Sequence, residues 1–245
     1  MRMNGMKLQA ALAALVFTAG CGAGGSLPTD DEGPPPVAEQ PGPSAPSAAS
    51  LWPLTTGSTW TYAIPDDPSY GQITKTVTVK GPGEVPGRSG VQAIQVESVQ
   101  TSQPVFTELS WQQEANGMVS RLREEDRKDG SLVRTTVWSP ATLKMLSQAR
   151  ELNWSYTQTA VTERIAMGDG SVTEEPEKPY VWRVLGVNET VTVPAGTFTN
   201  ALRVQRERTD KATDKPRTYW LVPGVGKVKE TGQRTDELTS YSIKP

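Results

Sequence analysis

Histidine is absent from the 245 residues, and cysteine occurs once, as Cys21. Without imidazole there is no Ser/His/Asp or Cys/His triad, no HExxH zinc site and no histidine-ligated haem. A single thiol allows neither an internal disulfide nor a cysteine metal cluster. Charge of one sign is not in excess either: 25 Lys+Arg face 27 Asp+Glu, a formal charge of -2, far from the basic surplus of a nucleic-acid binder. The one long apolar run, residues 8–17, is interrupted by Gln9. At about ten residues it falls short of the roughly 20 that span a bilayer as a helix. Glycine (22), proline (20) and tryptophan (7, against 3 Phe) are what the chain has in quantity.

The apolar run follows Arg2 and Lys7 and ends in Thr18-Ala19-Gly20-Cys21. A basic start, a short apolar segment and small residues before a cleavage point make a secretory signal over residues 1–20. Ala19-Gly20-Cys21 resembles the lipobox of bacterial lipoproteins, although Thr18 stands where that family usually has Leu. The resemblance implies that Cys21 is acylated and becomes the new N-terminus, two or three acyl chains giving an essentially permanent anchor. Gly22, in place of an Asp retention residue, implies the outer membrane of a Gram-negative cell, on either face.

Residues 22–50 hold seven Pro and five Gly among 29, four acidic residues and no basic one. They offer no apolar face to bury, so ordering them costs entropy without return, and with Cys21 they read as a disordered tether over 21–50. Removing Arg2, Lys7 and the four tether acids leaves 23 basic and 23 acidic residues in 51–245, a domain with no net field to steer a charged partner.

That domain alternates apolar and polar residues almost throughout. Trp60 and Tyr62 alternate with threonines, as do Val77 and Val79 with Thr76 and Thr78. Gly168-Asp169-Gly170 marks a tight hairpin, because Gly and Asp tolerate positive φ. Only residues 141–152 have helical composition, with Leu143, Leu146 and Leu152 on one stripe behind Ser139-Pro140. Ten to twelve strands and one short helix predict a mainly β domain, a curved antiparallel sheet, half-barrel or barrel-like, since open sheets of that size curl or close. A Trp-x-Tyr echo, Trp60/Tyr62 and Trp154/Tyr156, is the only trace of duplication.

Three segments resemble uncharacterised bacterial secreted lipoproteins: residues 51–62 (LWPLTTGSTWTY), 191–198 (VTVPAGTF) and 219–229 (YWLVPGVGKVK). Together they cover about 30 residues, mostly towards the ends of the domain. The resemblance implies a curved β-fold like that of periplasmic lipoprotein carriers and implies no activity.

Trp182 and Trp220 are the candidate ligand-binding residues, lining a concave apolar groove of the kind that holds an acyl chain; the bland alternative places them in the core. Arg203, Arg206, Arg208 and Arg217 could form a cationic stripe, but Glu207 and Asp210 among them favour cross-strand pairing over an anion site. Arg206 and Arg208 share a strand face, with Arg203 on the other. Glu174, Glu175 and Glu177 do not have calcium-site spacing, nor does the segment from Asp126 to Ser131, so no metal and no cofactor are expected. No catalytic set is apparent; an enzyme would need carboxylates converging in a pocket with raised pKa values. The sequence therefore implies a membrane-anchored, non-catalytic module for an apolar ligand or an envelope protein, with an envelope assembly component as the alternative.

Overall fold

A computed structural model describes residues 50–245 apart from Thr159 and Ala212; Cys21 and the expected signal and tether lie outside these, save Ser50. The described residues are strands and their connections, with no helix among them. Short hairpin signals set the layout. Asn116-Gly117 and Asp129-Gly130 take φ of 55° and 74°, and 48° and 80°. They form two-residue loops between paired Ala115 and Met118, and between Lys128 and Ser131, the geometry whose twist matches that of the strands. Gly168-Asp169-Gly170 turns as the sequence predicts, Asp169 Oδ1 accepting from the Ser171 N–H at 2.9 Å.

Fourteen strands result: β1 (Thr59–Asp67), β2 (Gly71–Glu84), β3 (Gln92–Gln100), β4 (Phe106–Ala115), β5 (Met118–Lys128), β6 (Ser131–Leu146), β7 (Ser155–Thr157), β8 (Thr162–Met167), β9 (Val172–Pro176), β10 (Tyr180–Val193), β11 (Gly196–Arg208), β12 (Arg217–Val222), β13 (Gly226–Thr231) and β14 (Asp236–Ser242). They make one antiparallel sheet in the order β7-β10-β11-β12-β13-β14-β1-β2-β3-β4-β5-β6-β8-β9. The chain starts in the middle, meanders to one side, crosses over, and meanders back until β14 pairs with β1.

The crossover shows how far the sheet curls. β7 is one edge and β8 lies next to the other, yet residues 158–161 alone join them. Five Cα steps reach at most roughly 17 Å. The two ends of the sheet therefore face each other across a narrow seam. Apolar packing fills part of it: Leu143, Met145 and Leu146 of β6 share a core with Trp182, Val184, Leu202, Val204, Tyr219 and Leu221 of β10, β11 and β12. Among the described residues no strand ladder closes the seam. The Gln158 side chain bridges it instead, accepting from the Leu143 N–H at 2.5 Å and donating to the Ala141 carbonyl at 2.8 Å.

The expected helix over 141–152 is not formed. β6 runs on to Leu146, with Thr142, Leu143, Met145 and Leu146 paired to Arg121, Ser120, Val119 and Met118 of β5. Backbone pairing on one side and apolar packing against β10–β12 outweigh a weak helical propensity. Just beyond this stretch, β7 and β8 lie four residues apart in the chain but at opposite ends of the sheet.

Candidate functional site

The period-two alternation that buries Trp60, Tyr62, Val79 and Val96 also turns charged side chains inward. On β2, Lys75 shares the inward face of Val77 and Val79; on β4, Glu108 shares that of Ser110 and Gln112. On β11, Arg206 follows Val204 inwards, opposite Arg217 of β12. These residues surround a cavity of about 340 Å³ whose ionisable lining comprises eight Lys or Arg and three Glu. Its apolar end is formed by Trp52, Pro53, Leu54, Trp60 and Val79.

The start of the domain is fastened across that apolar end. The Leu51 N–H donates to the Ser147 carbonyl at 2.8 Å, and the Gly224 N–H to the Ser50 carbonyl at 2.9 Å. Trp52 Nε1 donates to Gln112 Oε1 at 2.9 Å, and Gln112 Nε2 donates to Ser110 Oγ at 2.8 Å.

Two ion networks hold the walls. In the first, Asp236 accepts from the ammonium groups of Lys75 and Lys227, the latter at 2.9 Å, and lies 3.2 Å from Arg234 Nε. Lys227 also donates to Glu230 at 2.5 Å. Burial opposes the charge on Asp236, but the two ammonium groups outweigh it and hold the carboxyl well below its usual range. Burial, reinforced by the Lys227 charge, brings Lys75 down to about 8. Burial pushes the Tyr62 phenol up, and its hydroxyl donates to the Lys227 carbonyl at 2.8 Å.

In the second network Arg121 pairs with Glu124, Arg134 with Asp126 at 2.6 Å, and Lys144 with Glu108 at 3.6 Å. Burial, then the charge of Glu108, pushes Glu124 up to about 7. On Glu108 burial is outweighed by the Lys144 and Arg121 charges, and its carboxyl is drawn down. One oxygen from each of Glu108, Glu124 and Asp126 lies within 4.8 Å of the others. Each of the three already has a cationic partner, so the cluster is explained as the counter-charge of Arg121, Arg134 and Lys144.

Arg206 differs from its neighbours. Among the described residues no carboxylate lies within 4.0 Å of it and no acceptor takes its hydrogen bonds, while Arg203, Arg208 and Arg217 all have ion-pair partners. Its guanidinium carbon sits 4.5 Å from the Tyr180 ring centre and 5.6 Å from that of Trp182. The cross-strand pairing expected of this arginine stripe therefore holds for Arg203 and Arg217; Arg208 pairs instead with Asp210 and Asp214 in the connection after β11, and Arg206 has no such partner.

Neither candidate tryptophan lines the cavity. Trp182 is 2% exposed and stacks on Tyr219 at 6.0 Å within the core. Trp220 is half-buried on the opposite strand face from Tyr219 and donates from Nε1 to Glu189 Oε2 at 3.1 Å. The expected apolar groove is in fact a charged interior. Trp52 and Trp60 are the tryptophans that reach it. Lys75, Glu108, Glu124, Lys227 and Asp236 went unnoticed in the sequence because charges within strands read as solvent-facing; the signal was their phase, Lys75 lying two residues from Val77.

No family model matches the sequence, and no curated protein matches it. Among solved structures, a protein assigned as exported, with a YmcC-like fold, from Bacteroides fragilis is 12% identical, with a TM-score of 0.38 over 79% of this chain and 99% of its own. A protein assigned as a lipoprotein from Parabacteroides distasonis is 13% identical, with a TM-score of 0.36 over the same shares, 79% and 99%. At these scores neither likeness transfers a role.

Proposed function

We propose that this chain is an exported lipoprotein of the cell envelope, anchored through Cys21 in the outer membrane, whose β-domain is a non-catalytic binding module for a small polar ligand held in the interior cavity. The anchor reading rests on residues 1–21. The binding reading rests on one observation: the domain encloses about 340 Å³ lined by eight cations and three carboxylates, where a structural core would be apolar. That volume falls at the lower end of the roughly 300–1,000 Å³ of small-molecule sites.

Native mass spectrometry of the full-length protein from its host tests both parts. The expected spectrum shows a diacylglycerol-bearing Cys21 and a co-purifying small polar molecule. A Cys21→Ala variant is expected in the soluble fraction; its retention in the membrane fraction overturns the anchor. Bare protein that also takes up nothing from a polar metabolite mixture overturns the binding module and leaves the assembly-component alternative.

One observation favours a second reading, acid–base hydrolysis: Glu108 and Glu124 converge with pKa values pushed apart, as a catalytic carboxyl pair requires. Against it, Glu124 is ion-paired to Arg121 with its side chain only 7% exposed. Hydrolysis of a glycoside panel that is lost in Glu124→Gln would decide for the enzyme.

A further inference from the structure

We infer that Arg206 and Arg217, with Lys144 across the seam, hold a doubly charged oxyanion, a phosphate monoester carried by a free molecule or by a lipid headgroup. This deepens the binding-module reading and rests on it.

Arg206 and Arg217 are direct cross-strand partners on one sheet face, where like charges repel. Among the described residues no carboxylate lies within 4.0 Å of Arg206 to relieve that repulsion; Glu177 feels its charge only without direct contact. Arg217 is only partly satisfied: its Nη1 reaches Glu230 at 3.4 Å, a carboxylate already taken at 2.5 Å by Lys227, while its Nη2 donates to Gln233 at 2.6 Å. Lys144 adds a third cation, held loosely to Glu108 at 3.6 Å. Lys144 lines the same cavity as both arginines, and burial pushes its ammonium down against the pull of Glu108 and Glu124.

The arrangement is preorganised for an anion. The Tyr180 ring, 4.5 Å from its guanidinium carbon, holds Arg206 in place without using any of its donors. The two arginines also line a recess of about 60 Å³ with Arg208 and Lys215, where Asp214 is the single carboxylate. They therefore stand between the recess and the cavity, with cations on both sides. Two forks and an ammonium match a dianion with three acceptor oxygens better than a monocarboxylate, which one fork already satisfies. The apolar end at Trp52, Leu54 and Trp60 leaves room for an uncharged remainder of the ligand.

The test is a calorimetric titration of the full-length protein in neutral detergent with inorganic phosphate, glycerol 3-phosphate and phosphatidic acid in mixed micelles. Acetate and potassium chloride at matched ionic strength are the controls. Expected are saturable binding of the phosphate probes over acetate, and weakening by about ten- to a hundred-fold in Arg206→Met, the range for losing charge-assisted hydrogen bonds. Arg217→Gln is expected to weaken binding as well, which keeps the test open should Arg206→Met fold poorly, and Trp220→Ala to leave it unchanged. Preference for glycerol 3-phosphate identifies a free ester; preference for phosphatidic acid identifies a headgroup. Equal binding by wild type and both arginine variants, or no preference for phosphate over acetate, overturns the inference. If phosphate fails while a neutral or cationic molecule quenches Trp52 and Trp60 fluorescence, the anion site falls and the binding module stands.

Discussion

Asp236 accepts a hydrogen bond from the Lys227 ammonium at 2.9 Å, with the two side chains 1% and 8% exposed. It also receives Lys75, so one buried carboxylate answers two buried ammonium groups. Asp236→Asn therefore leaves the buried Lys75 without its carboxylate partner and leaves Lys227 with Glu230 alone. The expected loss is about 3–5 kcal/mol, the cost of breaking a buried pair by deleting one partner. Urea denaturation checks it; a change below 1 kcal/mol would show that water reaches and solvates Lys75.

A chain without histidine has no side chain of ordinary pKa between pH 5 and 8, so the shifted carboxyl of Glu124 stands out there. Its carboxyl rises to about 7 through burial and the Glu108 charge, with Asp126 adding to the rise and Arg121 and Lys144 opposing it. A raised acid favours the fold while protonated. The contribution is full below the ordinary value of 4.5 and is lost as pH rises through about 7. The expected loss over that window is on the order of 2–3 kcal/mol. Denaturation midpoints between pH 4.5 and 8 should fall in the wild type and stay flatter in Glu124→Gln; parallel slopes would remove Glu124 as the titrating group.

Trp182 and Trp220 separate packing from recognition. Trp182→Ala empties a site in the core shared by β6 and β10–β12 and is expected to cost about 3–5 kcal/mol. Trp220→Ala, at a half-buried position, should cost clearly less. Thermal melts of the two variants give the ranking, and a larger loss for Trp220 would contradict the packing described.

The seam depends on Gln158. In Gln158→Ala the Leu143 N–H and Ala141 carbonyl lose their partners, a loss of about 1–3 kcal/mol where such groups stay buried. Hydrogen exchange should show faster exchange of the Leu143 amide, with the paired amides of β1 and β2 unaffected. Unchanged protection at Leu143 would mean another acceptor moves in.

The fold was legible where turn chemistry and alternation agree. Gly168-Asp169-Gly170 announced its hairpin, and ITKTVTVK announced β2. Residues 141–152 misled because Leu143 and Leu146 fit a helical stripe, while the pairing that makes them a strand comes from residues 118–121, which local pattern does not reveal. The site was nearly invisible for a related reason. Lys75 and Glu108 sit in phase with Val77 and Ser110, but phase alone does not say which face a sheet will curl around. Arg206 is legible as one of a charged stripe, but its lack of a partner is not: Glu207 pairs with Arg183 on the adjacent strand and Asp210 with Arg208 two residues before it.

The fastening at Ser50 and Leu51 has a mechanical consequence. Whatever tension the upstream polypeptide transmits arrives first at two peptide hydrogen bonds, to Ser147 and from Gly224, loaded at a single point of the rim. β1 beyond them is held in shear along ladders to both β2 and β14. A pull from the N-terminal side therefore lifts Trp52 and Leu54 off the chamber before the body yields, like a stopper on a cord.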